Sequence, residues 1–375
     1  MPNLFDYLAW RGDLPFSAVP PCEADELLLS QLSYIFFDGF VPSQGHGSVL
    51  LKDAAHAVLR QGQDGKGVHQ IGYMWRDDQR LLSMLQASPR YASLALSCYE
   101  SELTENAQFG ALTISISDSL HCISFRGTDD TLIGWKEDCA LAFSEPVPAQ
   151  IMSAGYLRRV AGQVKGRLML LGHSKGGNLA AYAAAKAPES VRERIGLIVS
   201  CDGPGLDKSI VSGPEYRSVS GRFKKYVPQS SVVGMLLESE DNYTVVKSDG
   251  LGLLQHSAFS WQISGPSLVR QAQPTQGSRY VNHVIKQWLD DMDENKRRQF
   301  VTALFEVLEK TDLTSVDQIN ARFLFNLPSA LLKTRSVDPA LRAQLHGELR
   351  ALIRTALRTL ALSGAQGSPA PRDER

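Results

Sequence analysis

The residues Gly172-His173-Ser174-Lys175-Gly176 stand between a short apolar run, 168–171, and an alanine-rich segment, 174–187. This is the pattern of a serine exposed at a strand-to-helix turn. Side chains two residues to either side of such a serine would collide with the strained backbone. Glycine at 172 and 176 removes them, and Gly177, Ala180 and Ala181 let the helix lie close to the strand. A helix starting here aims its free N–H groups and positive dipole end at the serine. The five-residue pattern is weak by itself, and the strand before it and the helix after it make it informative. Chemically, Ser174 is a nucleophile that needs a base.

The base in turn needs an orienting acid. On this kind of turn the chain order is serine, acid, histidine. Of the eight histidines, His256, His283 and His346 follow Ser174. The last two fall in predicted helices, whereas His256 stands in the loop after an apolar run, 243–247, and is the expected base. The candidate acids between them include Asp202, Asp207, Glu238, Glu240, Asp241 and Asp249. Asp202 ends the apolar run 195–201 and precedes Gly203-Pro204-Gly205. An acid there lies on the catalytic edge of a sheet, beside the nucleophile's strand. Its other reading is a turn held by side-chain hydrogen bonds. Asp202 is preferred, with Glu238 and Asp241 in reserve.

The elements that must position these groups follow from periodicity. Residues 111–117 alternate around Leu112, Ile114 and Ile116, and 120–125 form a second short run, so two strands joined by a tight turn are expected. The wholly apolar run 168–171 predicts a strand buried on both faces of a parallel sheet. Strand, helix, strand around Ser174 indicates an α/β layer architecture, here the α/β-hydrolase fold. The mostly parallel sheet should be flanked by helices and followed by a C-terminal helical extension. Residues 1–60 read as helical and irregular, with one buried helical face in 23–37. Apolar spacing predicts helices at 280–292, 300–308 and 339–362. We expect a hydrolase domain over 1–275 (an N-terminal helical part, 1–108, and a catalytic core, 109–262), a helical region over 276–363 and a disordered tail over 364–375. The glycine-rich 62–67 lacks the ends of a phosphate-binding loop and reads as a surface turn.

Composition excludes more than it selects. The 375 residues are 43% hydrophobic and 21% charged, with a net charge of −1, which supplies no field for nucleic acid. Arg350, Arg354 and Arg358 stand four apart on a helix. Such a helix could touch a membrane or a partner, but a solvated face on a packed helix is the commoner explanation. Five cysteines without ligand or redox spacing read as free thiols in a reducing compartment. With neither a signal-peptide pattern nor a spanning apolar stretch, a cytoplasmic protein is expected. No cofactor or metal is implied, since no His/Asp/Glu cluster has ligand spacing.

Phe125-Arg126-Gly127-Thr128, Trp135 and then Gly-His-Ser-x-Gly-Gly resemble the class 3 lipase pattern. The match is closer still to an uncharacterised, lipase-like bacterial branch with Gly-His-Ser-Lys-Gly-Gly-Asn at the turn, followed by Asp-Gly-Pro-Gly (202–205) and Gln-His (255–256). The resemblance spans roughly 109–262. It implies Ser174 as nucleophile, His256 as base, and an oxyanion hole formed by the backbone N–H groups of Thr128 and Lys175. It matches 129–143 to the lid of a lipase, for which Glu137 and Asp138 suggest a polar outer face. One departure stands out. Class 3 lipases carry their aspartate just before a Val-Pro pair, and the corresponding stretch here, Tyr226 to Gly234, offers Ser231 instead. Two functions follow. One is a serine hydrolase cleaving a lipid or small carboxylic ester, without nucleic acid as partner; the other is a non-catalytic binding protein that has kept the fold.

Overall fold

The computed structural model describes residues 1–43, 45–63, 75–104, 107–129, 132–141, 146–237 and 243–309. In the C-terminal stretch it describes 343, 346–348, 350–357 and 359. Eight strands lie side by side in chain order: β1 (Val49–Leu50), β2 (Ala95–Leu103), β3 (Gln108–Ser117), β4 (Leu120–Phe125), β5 (Arg167–His173), β6 (Ile195–Cys201), β7 (Phe223–Pro228) and β8 (Thr244–Val246). β1 to β4 pair antiparallel, and β4 to β8 pair parallel. A small hairpin, β9 (Ile263–Ser264) and β10 (Ser267–Leu268), follows.

The alternation of β5 explains its unbroken apolarity. Leu168 and Leu170 enter the core on one face, while Met169 and Leu171 enter the core on the other. Fully burying one such side chain contributes about 1.5–3 kcal/mol. The first face is covered by α6 (Pro148–Gln163) and α7 (Lys175–Lys186). The second is covered by α1 (Leu4–Arg11), α2 (Glu23–Gln31), α3 (Leu51–Gln63) and α4 (Trp75–Ala87). The chain therefore closes its core only with residues from the N-terminal segment. α5 (Leu132–Ala140) lies between β4 and α6 in the chain. Short helices α8 (Glu189–Arg192), α9 (Lys208–Val211) and α10 (Pro214–Ser220) cross between β6 and its neighbours, and α11 (Gln276–Asp290) and α12 (Glu294–Glu309) follow the hairpin.

The expected α/β architecture is present, with strands at 111–117, 120–125, 168–171 and 195–201 where periodicity placed them. The N-terminal stretch is less purely helical than expected. It also supplies β1 and β2, and β2 escapes period-two reading because its register shifts between Ser97 and Glu100, where Cys98 has a φ of +53°. The described residues of the third C-terminal helix are helical, and Tyr280 Oη donates to Ala356 O at 2.7 Å, tying it to α11. Arg350 and Arg354 are exposed; Arg358, the turn at 64–67 and the tail lie outside the described residues. Among the described residues no helix is long and apolar enough to cross a membrane.

Candidate active site

Ser174 sits between β5 and α7 with φ +56° and ψ −134°, a conformation that costs a non-glycine residue about 1–3 kcal/mol. Crowding explains the neighbouring glycines. A Cβ at Gly172 would come within 2.1 Å of Gly176, and one at Gly176 within 2.1 Å of Phe125 O. Gly127 is equally constrained, since a Cβ there would lie 2.9 Å from Ser174 Cβ and 2.0 Å from Tyr34 Oη. The Arg-Gly-Thr segment can approach the serine only because residue 127 has no side chain. Gly177 N donates to Ser174 O at 2.9 Å, closing the first turn of α7.

Asp202 follows the last residue of β6 and has a φ of +51°, a region that aspartate tolerates better than most residues. Its carboxylate is buried and triply engaged. His256 Nδ1 lies 2.6 Å from Oδ2, and Oδ1 accepts from Ser231 Oγ at 2.5 Å and from Gly234 N at 3.1 Å. This answers the departure noted in the sequence. Ser231, at the position where an acid was missing, hydrogen-bonds to a carboxylate supplied by the preceding strand. Gly234 is required there, because a Cβ would stand 2.2 Å from Asp202 Oδ1. Of the other acid candidates, Asp207 caps α9 through Ser209 N and Asp249 pairs with the N-terminus. Glu238, Glu240 and Asp241 lie outside the described residues.

His256 ends the 3-10 turn Gly252–His256 after β8. Its loop is fixed on three sides. Trp261 Nε1 donates to Gln255 O at 2.9 Å, Ser230 N donates to Gln255 Oε1 at 2.9 Å, and His173 Nε2 lies 2.7 Å from His256 O. The two imidazoles are 4.6 Å apart between ring centroids. Burial, with His256 beside it, pushes His173 down to about 3, so its ring is neutral at ordinary pH. A neutral ring facing a carbonyl must carry its proton on Nε2 and accept at Nδ1, where Tyr34 Oη stands at 2.9 Å. Tyr34, His173 and His256 thus form a chain that fastens the His256 loop to the residue next to Ser174. The histidine's side chain is 28% exposed, while that of Asp202 is 1% exposed. On β7, burial pushes Lys225 down to about 8, with Asp202 pulling the other way.

The segment matched to a lid departs from expectation. Glu137 and Asp138 do not form an outer polar face. Glu137 is buried, and its Oε2 accepts from Lys175 Nζ at 2.8 Å. Asp138 accepts from Thr128 Oγ1 at 2.5 Å, and burial raises its carboxyl to about 6. α12 packs against α5. Residues 130–131 and 142–143 of that segment lie outside the described residues.

Tyr34, His173, Gly234 and Glu137 were not singled out for these contacts in the sequence. Each acts through a partner distant along the chain, and no local pattern announces such a contact. Among the described residues, no group of three or more His, Cys, Asp or Glu side chains is arranged to hold a metal ion.

A crystal structure titled as that of M37 lipase aligns over 56% of this chain and 68% of its own, at 11% identity and a TM-score of 0.32, a likeness too slight to carry an argument. No curated protein matches the chain. A family profile described as Mbeg1-like matches residues 85–306. That stretch begins ahead of β2 and ends within α12, so it takes in the strand-to-helix elbow at Ser174, Asp202, His256 and the α5 contacts. The chain belongs to the Mbeg1-like family, a lipase-like family.

Proposed function

We propose that the protein is a serine hydrolase that cleaves a carboxylic ester through an acyl-enzyme intermediate. The observation that carries this reading is the 2.6 Å contact between His256 Nδ1 and the buried Asp202 carboxylate, made beside the strained elbow at Ser174. With Nδ1 donating to Asp202, the neutral His256 ring accepts at Nε2. Ser174 Oγ attacks the ester carbonyl as His256 takes its proton, and Asp202 stabilises the resulting imidazolium. The N–H groups of Thr128 and Lys175 receive the oxyanion, each worth about 3–4 kcal/mol in such sites. His256 then returns the proton to the leaving alcohol, and water, activated in the same way, releases the acid.

The scaffolding alternative drew its support from the missing acid at 231. A carboxylate already bonded to His256 and supported by Ser231 removes that support. Lipid esters, small carboxylic esters and thioesters all suit the chemistry. A cytoplasmic location accords with five free cysteines.

The test is labelling with a fluorophosphonate probe, which phosphonylates an activated serine. Stoichiometric labelling of the wild type that disappears in Ser174→Ala and collapses in His256→Ala supports the reading. A folded wild type that takes no label overturns it.

A further inference from the structure

A closed ring of hydrogen bonds and neighbouring peptide links joins the two residues assigned to the oxyanion hole. Lys175 Nζ donates to three acceptors, Glu137 Oε2 at 2.8 Å, Gln108 Oε1 at 2.8 Å and Gln108 O at 2.9 Å, which accounts for all three ammonium protons. Gln108 Nε2 reaches Gly127 O at 3.4 Å. Glu137 is followed by Asp138, which accepts from Thr128 Oγ1 at 2.5 Å. Passing from Lys175 through Gln108, Gly127, Thr128, Asp138 and Glu137 returns to Lys175.

One contact in this ring bears on the geometry of the site directly. Gly127 O and Thr128 N belong to a single planar peptide unit. A donor that holds Gly127 O therefore sets the direction of the Thr128 N–H. On the other side, the ion pair has side-chain exposures of 0% for Lys175 and 2% for Glu137. Glu137 is itself anchored by Ala149 N at 2.9 Å and Gln108 N at 3.2 Å. The lysine's stem can hardly move without uncovering a buried charge, which is costly. Its side chain thereby ties the first residue of α7, whose backbone N–H is the second donor, to β3 and α5.

We propose that Gln108 and Glu137 are positioning residues, which hold the Thr128 and Lys175 N–H groups in convergence on the oxyanion. α5 thus acts as a fixed buttress of the site. The inference rests on the hydrolase reading above. It also gives the lysine of the elbow a task that a generic residue at that position could not perform.

Three variants test it: Glu137→Gln, Gln108→Glu and the double variant Lys175→Met with Glu137→Met. Gln108→Glu keeps an acceptor for Lys175 and loses the amide donor to Gly127 O. The double variant removes both charges of the buried pair together, which avoids the unpaired charge that Glu137→Gln leaves on Lys175, though Ala149 N and Gln108 N lose their acceptor. Each is measured for its fluorophosphonate labelling rate, for kcat and KM on a short-chain ester, and for thermal unfolding. The expected result is a kcat and a labelling rate lower by about 10–100-fold, less than the loss of a whole oxyanion donor, with KM within about 2-fold of wild type. The double variant recovers part of the stability lost in Glu137→Gln but none of the rate. Wild-type rates in a folded double variant, or losses confined to KM or to the unfolded fraction, overturn the proposal. If the wild type labels at Ser174 and the variants label equally fast, only this inference falls. An unlabelled wild type removes the hydrolase reading, and the inference with it.

Discussion

Two buried carboxylates, Asp25 and Asp202, are almost equally hidden, at 0% and 1% exposure, yet they are built for different ends. Asp25, on α2, faces Arg90 in a bidentate pair at 2.6 and 2.9 Å and also accepts from Tyr7 Oη, Tyr91 Oη and Cys22 N. Arg90 gives its remaining donors to Leu14 O, Val19 O and Pro20 O. Burial alone would raise the Asp25 carboxyl, but hydrogen bonds from Arg90 and Tyr91 bring it below its usual range. Both partners are sealed, and arginine does not give up its proton. Asp202 faces a histidine, a side chain able to give and take a proton, that keeps more than a quarter of itself open to solvent. Burial and dense hydrogen bonding therefore do not distinguish the acid proposed for catalysis from a structural one. The partner's capacity to exchange a proton, and its access to a reacting atom, do.

Substitutions on the two sides should separate cleanly. Asp202→Asn leaves Ser231 and Gly234 with an acceptor but removes the charge that orients His256. We expect kcat/KM to fall by about 10³–10⁴-fold with folding cooperative and intact, as read by ester kinetics beside urea unfolding. Asp25→Asn or Arg90→Met should do the reverse, costing about 3–5 kcal/mol of stability by leaving one buried charge unpaired. The rate per folded molecule should be unchanged. A large rate loss in Arg90→Met at constant fraction folded would break the distinction.

Smaller changes sharpen it. Ser231→Ala removes one hydrogen bond to a charged acceptor, worth about 1.5–3 kcal/mol in such cases. We expect the cost in kcat rather than KM, because Asp202 would still touch His256 but sit less firmly. Gly234→Ala should cost more than Ser231→Ala, since its Cβ displaces the carboxylate itself.

A separate contrast concerns a third carboxylate, Asp78 on α4, whose Oδ1 has no hydrogen-bond partner among the described residues. Burial, with Asp77 adding to it, pushes Asp78 up to about 8. The folded protein then holds a proton that the unfolded chain releases at the ordinary carboxylate value. Stability from this group is present at low pH and lost as pH rises towards about 8. Asp25 has the opposite sign, its contribution being present above the ordinary value and lost as pH falls through the lower folded one. Asp78→Asn should flatten the decline in unfolding midpoint between about pH 5 and about pH 8. An unchanged pH profile would show that Asp78 is not held protonated.

How much of this was legible in the chain depends on the range of each interaction. The elbow at 172–176, the strand before it and the helix after it are local, and sterics within a few residues dictate them. Asp202 and His256 were chosen from chain order, and they lie in contact because the ends of parallel strands bring their loops to one edge. Ser231 was visible, but only as an absence. The structure gives it a role because Asp202, on the neighbouring strand, turns its Oδ1 towards it. Glu137 was misread as solvent-facing, because charge alone carries no information about burial when the neutralising Lys175 lies 38 residues away. Tyr34, 139 residues from His173, carries no signal at all in sequence. Local sterics and hydrophobic periodicity thus determined the fold class and the strained turn that presents Ser174. Which polar groups pair in the dry interior was decided only when the N-terminal helices and α5 closed on the sheet, because hydrogen-bond partners are chosen by proximity in space.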